Sequence, residues 1–479
     1  MKRINVSIAL MVLFIISTYG QNEMDALRFS HHFQSGSARY MGLGGAFGAL
    51  GGDLSTLSSN PAGLGVFRGT EFSFTPSIHT AKAEATHYGK KVEDLKYNFH
   101  LGHIGFASAY KTNRTNKDIP GWEYINFGFG VNRIANFHNR ILIEGNNHES
   151  SLIDEYVFHA MGKMPEDFNP FYEALAWETY LFDPIDTSGN YESVVLGNIR
   201  QSKAITTTGG INEMVISLAG NYDDKFYIGG TLGVPFLRYD MQSTYREVNI
   251  DTLSDFESYS LNDDISTSGT GINFKLGIIY RPVDFVRIGA AVHTPTFFSL
   301  SESYSRKMNS YFQNGSNHSA STPDGKFDYE LTTPMRILGS LAFIIGEYGL
   351  ISADYEFVDY TEARLRSNSY KFFDENDAIQ NSFRAQNNIR VGGELRLNPI
   401  NIRAGYALYG NPYKSGINNT ERTALSFGIG LREKNYFFDI TYLHSNYNQK
   451  YYLYNPALIE PTKQTFTTNT VLMTLGFRL

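Results

Sequence analysis

The chain has 479 residues, no cysteine and a formal charge of −7 at pH 7, which excludes disulfides, thiolate metal sites, a thiol nucleophile and a lipoprotein anchor. An acidic balance with no basic cluster argues against nucleic acid as a partner. Aromatics are abundant, with 35 Phe and 32 Tyr beside 44 Gly, and no stretch after the N-terminus has the length of a membrane helix; a secreted chain of this kind can still cross a membrane as a closed β-barrel, whose signal is alternation.

Lys2 and Arg3 precede a mostly apolar run from Ile4 to Ile16, and Thr18-Tyr19-Gly20 supplies small residues before a cleavage point. The pattern predicts a secretory signal over residues 1–20, cut so that the mature chain begins at Gln21. The apolar run falls short of the roughly 20 residues that span a bilayer. Residues 21–68 are rich in Gly and Ser and do not alternate.

The C-terminal half alternates cleanly with period two, and candidate strands can be counted from residue 69 onward. Candidate strands lie near 69–79, 95–110, 122–135, 211–221, 225–240, 270–281, 284–304, 326–345, 348–366, 387–398, 400–409, 422–433, 435–447 and 465–479. In the last of them Val471, Met473, Leu475, Phe477 and Leu479 oppose Thr470, Thr474, Gly476 and Arg478, with Leu472 the exception. The polar face repeatedly carries Arg, Glu, Asp and Gly, here Lys275, Arg287, Asp354, Arg390, Glu394, Arg403 and Arg432. On a membrane barrel that face meets the lumen and the apolar face meets lipid. The fold class expected is all-β: a transmembrane antiparallel β-barrel of about 14 strands, an even number because both termini face the periplasm.

Residues 136–200 interrupt the alternation and read partly as helix. Leu152, Ile153, Tyr156, Val157, Ala160 and Met161 recur at helical spacing, and Asn169-Pro170 starts a second helix whose apolar side continues through Phe171, Leu175 and Leu181. A partly helical outer loop with an apolar face suits capture of greasy ligands.

Residues 35–53 form a small-residue run, Ser-Gly-Ser-Ala-Arg-Tyr-Met-Gly-Leu-Gly-Gly-Ala-Phe-Gly-Ala-Leu-Gly-Gly-Asp, and Asn60-Pro61-Ala62 follows it just before the first strand. This resembles the hatch of the FadL/TodX family of outer-membrane transporters for long-chain fatty acids and other hydrophobic compounds. Thr333-Pro334-Met335-Arg336, residues 354–360 and Ile402-Arg403-Ala404-Gly405-Tyr406 also fit that family. The resemblance implies a hatch or plug over 21–68 inside a barrel over 69–479, with the partly helical insertion at 136–200. It further implies capture in an outer apolar groove, hatch rearrangement, and sideways exit through the wall near strand three into the outer membrane.

On that reading Asn60, Pro61 and Ala62 are the gate, Gly128 and Gly130 mark the lateral opening, and Val157, Met161, Phe171, Leu175 and Leu181 line the groove. Gly within a strand weakens pairing or admits a close approach. The expected partners are a hydrophobic small molecule such as a fatty acid and outer-membrane lipids, for a monomer in the bacterial outer membrane. No cofactor, metal or catalytic residue is expected. His31 and His32 are adjacent and point different ways; His444 and Ser445 fall on opposite faces of a strand, which disfavours an esterase. The Gly run departs from dinucleotide spacing at Phe47. A barrel scaffold or secretion accessory is the alternative function.

Overall fold

The computed structural model describes residues 22–33, 35–113, 119–196, 198–251 and 255–479. The expected signal over residues 1–20 and the start at Gln21 lie outside them.

Fourteen antiparallel strands close a barrel. They are β1 (Glu71–His87), β2 (Lys90–Lys111), β3 (122–147), β4 (Ile199–Tyr222), β5 (Phe226–Asn249), β6 (Phe256–Val283), β7 (286–312), β8 (317–345), β9 (349–366), β10 (Ala385–Leu397), β11 (Ile400–Tyr409), β12 (Arg422–Arg432), β13 (Tyr436–Tyr451) and β14 (Thr462–Arg478). β3, β7, β8 and β9 each carry a break within the strand. β14 returns to pair with β1, from Glu71 opposite Arg478 to Thr86 opposite Lys463, so the sheet has no free edge at its seam.

The alternation read from the sequence is the inside–outside alternation of this wall. On β12, Leu425, Phe427 and Ile429 stand exposed on the outer surface while Ser426 is buried. Ile272, Phe274, Leu276, Ile278 and Tyr280 of β6 and Ile389, Val391, Leu395 and Leu397 of β10 behave alike. Short turns such as those at 284–285, 346–348 and 398–399 lie at the end that carries the C-terminus, the periplasmic end of such barrels.

At the other end several strands run beyond the expected spans. β4 begins at Ile199 rather than near 211, and β6 at Phe256 rather than near 270. There the buried side mixes apolar Ile199, Ile205, Phe256, Tyr259 and Leu261 with polar Gln201, Asp263 and Thr267, so pairing continues where the apolar alternation has stopped. The insertion is correspondingly shorter than expected: β3 continues to Asn147 and β4 resumes at Ile199. Ahead of β1 lie the helices α1 (Glu23–Ser30) and α2 (Ala38–Gly42), and within the insertion stand α3 (Leu152–Ala160) and α4 (Glu173–Glu178). α4 starts beyond the expected Asn169-Pro170, and Leu181 lies past its end, after Tyr180 turns the chain at φ +57°. A further helix, Phe373–Ser382, joins β9 to β10.

Candidate functional site

The segment ahead of β1 fills the lumen. It begins with a helix, Glu23–Ser30, capped by Asn22, whose Oδ1 accepts from the Met24 amide at 2.9 Å. A second short helix, Ala38–Gly42, is held by β13 and β14. The Ala38 amide donates to Thr474 Oγ1 and Thr441 Oγ1 donates to the Ala38 carbonyl, both at 2.6 Å. The lumen carboxylate of Asp354 accepts from the amides of Phe47 (3.1 Å) and Gly48 (3.0 Å). Asn126 Nδ2 donates to the carbonyls of Leu64 (2.6 Å) and Phe67 (3.0 Å). The wall's glycines make room: a Cβ at Gly392 would lie 2.3 Å from the Leu43 carbonyl oxygen, and one at Gly405 2.2 Å from the Gly44 nitrogen. Leu472, the apolar exception on the polar face of β14, packs with Ala38, Tyr40 and Met41 of the segment.

Most of the lumen charges pair with one another. Lys275 bridges Glu213, and Glu356 takes both Arg336 and Arg390 at 3.2 Å. Arg403 joins Glu394 (2.8 Å) to Asp439 (2.6 Å). A buried, paired interior of this kind is a costly path for a bare hydrocarbon.

Above the plug lies a cavity of about 1130 Å3. Its floor and side are formed by the first helix, with Met24, Leu27 and Arg28, and by Phe33. Its roof is the insertion, with Leu152, Tyr156, Phe171 and Tyr172. Burial pushes the Tyr172 hydroxyl well above the usual phenol range, so it stays a neutral donor, bonded to Glu155 Oε1 at 2.7 Å. Two cations line the cavity beside aromatic rings. Lys203 Nζ sits 5.9 and 5.6 Å from the ring centres of Tyr245 and Tyr451, and the Arg422 guanidinium is 4.2 Å from that of Phe33. Among the described residues neither cation has a carboxylate in salt-bridge contact, whereas Arg306 is neutralised by Asp263 at 2.8 Å.

The cavity reaches the wall through His79, His100, Arg133, Asn136 and His138, and there the barrel is incompletely paired. β2 and β3 share a ladder from Lys111–Tyr124 to His103–Asn132. Above that level β2 pairs only with β1 and β3 only with β4, among the described residues. Side chains span the break instead: Arg140–Asp94 (3.1 Å), Lys90–Glu144 (2.5 Å) and Asn136–Asn98 (3.4 Å). The plug takes part of the vacant edge of β3. The amides of Phe33 and Ser35 donate to the carbonyls of Ile134 (3.0 Å) and Arg133 (2.9 Å).

The residues singled out from the sequence are placed unevenly. Asn60 is buried against the wall, with Pro61 opening a short 3-10 helix over Pro61–Val66 and Ala62 packed on Tyr227 and Ile279. Gly128 and Gly130 face the lumen, where a Cβ at Gly128 would meet Leu57 at 3.0 Å and Leu64 at 3.1 Å. The β2–β3 ladder is continuous at both glycines, so the unpaired wall lies above them. Of the five groove residues only Phe171 lines the cavity. Val157, Leu175 and Leu181 are buried in the apolar cluster that packs the insertion onto the barrel mouth, with Tyr245, Phe256 and Tyr259, and Met161 is exposed. The apolar face of α3 is mostly spent in the cluster that packs the insertion onto the barrel mouth; Leu152 and Tyr156 on that face also line the cavity. His444 bonds to Asn469 while Ser445 meets Arg422, so the two point apart. Among the described residues no group of three or more His, Asp or Glu is placed to hold a metal ion.

No family model matches the chain, and no curated protein matches it. Solved structures do. A Pseudomonas aeruginosa FadL homologue superposes over 94% of this chain and 99% of its own, at 12% identity and a TM-score of 0.55. The Pseudomonas putida toluene transporter TodX covers 92% and 98%, at 11% identity and 0.54. The fold is that of the FadL and TodX barrels. The Ralstonia pickettii toluene transporter TbuX is similar over 92% of this chain and 98% of its own, at 13% identity and 0.51. A FadL-type barrel with an apolar outer band belongs in a bacterial outer membrane.

Proposed function

We propose that the chain takes up hydrophobic small molecules across the outer membrane, with long-chain fatty acids as the class that suits the cavity best. The observation that carries this reading is the continuity of one cavity from the insertion, past the first helix, to the break between β2 and β3. Its volume sits at the upper end of ligand pockets, which run to roughly 1,000 Å3. Apolar and aromatic walls hold a chain, while Lys203 and Arg422 offer charge to a carboxylate head. The neighbours in fold are named as a FadL homologue and toluene transporters, so an uncharged aromatic is the competing cargo.

Exit in this proposal is sideways. The paired and charged lumen below the cavity is costly for an alkyl chain, whereas the wall break opens toward lipid. Because Phe33 and Ser35 occupy the edge of β3, rearrangement of the plug and opening of the wall are one event. Asn60, Pro61 and Ala62 serve as the anchor about which it moves.

The test is binding by the purified barrel in detergent, followed by uptake in cells that lack and then regain the chain. Saturable binding of a fluorescent fatty acid is expected, weakened about tenfold or more in the pair Lys203→Met and Arg422→Met. Toluene binding unaffected by those changes, with no fatty-acid binding, would reassign the cargo. A folded barrel that binds and imports neither would sink the transport reading and leave a scaffold role.

A further inference from the structure

The periplasmic mouth holds a second cavity, of about 370 Å3, far from the ligand space. Five arginines line it: Arg39 of the plug, Arg287 of β7, Arg396 of β10, Arg432 of β12 and Arg478 of β14. Glu394 is the one carboxylate among its lining residues, and the plug turn Leu50-Gly51-Gly52 closes it.

The charges there do not balance. Glu394 takes Arg39 (3.2 Å), Arg396 (2.9 Å) and Arg403 (2.8 Å). Asp439 takes Arg403 (2.6 Å) and Arg432 (3.3 Å), and Glu71 takes Arg478 (2.9 Å). Among the described residues Arg287 bonds only to the Leu50 carbonyl, at 2.6 Å. Asp53, nearby on the plug, accepts from Ser37 and Ser55. Six guanidinium groups thus face four carboxylates even when Asp53 is counted. Arg287 Nε, Arg403 Nη2 and Arg432 Nε are moreover buried with no hydrogen-bond partner among the described residues. Buried charge without a partner is costly, and planar guanidinium forks converging from different strands match a tetrahedral oxyanion.

We propose that this cavity binds a small phosphate-class oxyanion, which ties the plug to the wall. Arg39 and the Leu50–Gly52 turn belong to the plug; Arg287, Arg396, Arg432 and Arg478 belong to four wall strands. An anion among them neutralises the excess charge and joins the two parts at the end opposite the ligand cavity.

The experiment uses the whole chain in phospholipid-free detergent, with inorganic phosphate titrated against chloride at constant ionic strength and read by calorimetry. Saturable binding at one site is expected, weakened at least tenfold in Arg287→Gln with Arg432→Gln. Arg478→Gln, at a partly exposed position, should weaken binding several-fold if the double variant fails to fold. Phosphate should also slow thiol labelling of Val66→Cys, a plug residue lining the cavity, by a similar factor. A parallel titration with short-chain phosphatidylglycerol separates sources: phosphate binding assigns the free ion, and binding of the lipid alone assigns a headgroup to the same site. No saturable binding of either, or equal binding by wild type and the folded variants, would overturn the proposal.

Discussion

The side-chain amide of Asn60 donates to the carbonyl of Ile278 on β6 at 3.1 Å and to the carbonyl of Gly48 within the plug at 2.6 Å. One group therefore fastens the plug both to itself and to the wall. The wall is shaped for it, since a Cβ at Gly277 would lie 1.9 Å from Asn60 Oδ1. Asn60→Ala leaves two buried acceptors short of a donor, a loss of about 1–3 kcal/mol. Faster thiol labelling at Ala46→Cys is the expected sign of a loosened plug. Gly277→Val should expose the same position more strongly, in barrels with normal heat-modifiable gel mobility. Unchanged labelling in both variants would show that the contact does not hold the plug.

Gly128 separates two accounts of the wall near β3. Its ladder to β2 is intact and its missing side chain is replaced by Leu57 and Leu64 of the plug. Gly128→Leu should thus overpack that contact and lower stability by roughly 1–3 kcal/mol, with part of the loss restored by Leu57→Ala. Full thermal stability combined with lost uptake would instead place the exit at Gly128 and Gly130.

The break above His103–Asn132 gives the sharper test of sideways exit. The chain has no cysteine, so Asn98→Cys and Asn136→Cys, whose native side chains lie 3.4 Å apart across the break, are labelled alone. Bridging them with a reducible bifunctional thiol reagent should stop uptake of the hydrophobic compound while leaving it bound, and reductant should restore import. Import through the bridged wall would send the cargo by another route.

The insertion holds two residues, Phe171 and Leu175, that share one apolar side by spacing but differ in place. Leu175 is buried in the insertion's core, and Leu175→Ala should cost roughly 2–5 kcal/mol there, seen as early proteolysis of the outer loop. Phe171 lines the cavity, its ring 5.2 Å from that of Tyr304. Phe171→Ala should weaken ligand binding several-fold with little change in melting. The reverse pattern would return the ligand to the α3–α4 face.

Strand existence, number and facing were legible because lipid and lumen impose opposite demands at every second residue. Phe427 and Ser426 follow that rule without needing a neighbour to explain them. Strand extent was less legible: over Phe256–Ser268 the buried side mixes Phe256, Tyr259 and Leu261 with Ser258, Asp263 and Thr267, so pairing leaves no clean alternation in hydropathy. The helix Phe373–Ser382 was also passed over, although Asp374 and Glu375 in its first turn are a readable start signal.

The sequence by itself determined a membrane barrel, its strand count, its lumen charges and the segment that resembles a hatch, since each depends on local order and period. Tertiary structure decided which apolar side chains line the cavity and where the strand ladder of the wall is broken. Periodicity on α3 marks Leu152, Tyr156 and Val157 as one apolar face, but only packing shows that Leu152 and Tyr156 reach the cavity while Val157 closes the insertion's core. Likewise Gly128 announces room for something, and only the opposing chain reveals that Leu57 and Leu64 take it. The unpaired edge of β3 leaves no mark in its own residues, because a backbone amide or carbonyl is the same group whether it faces β2, the plug or nothing; its partner is fixed by distance across the fold.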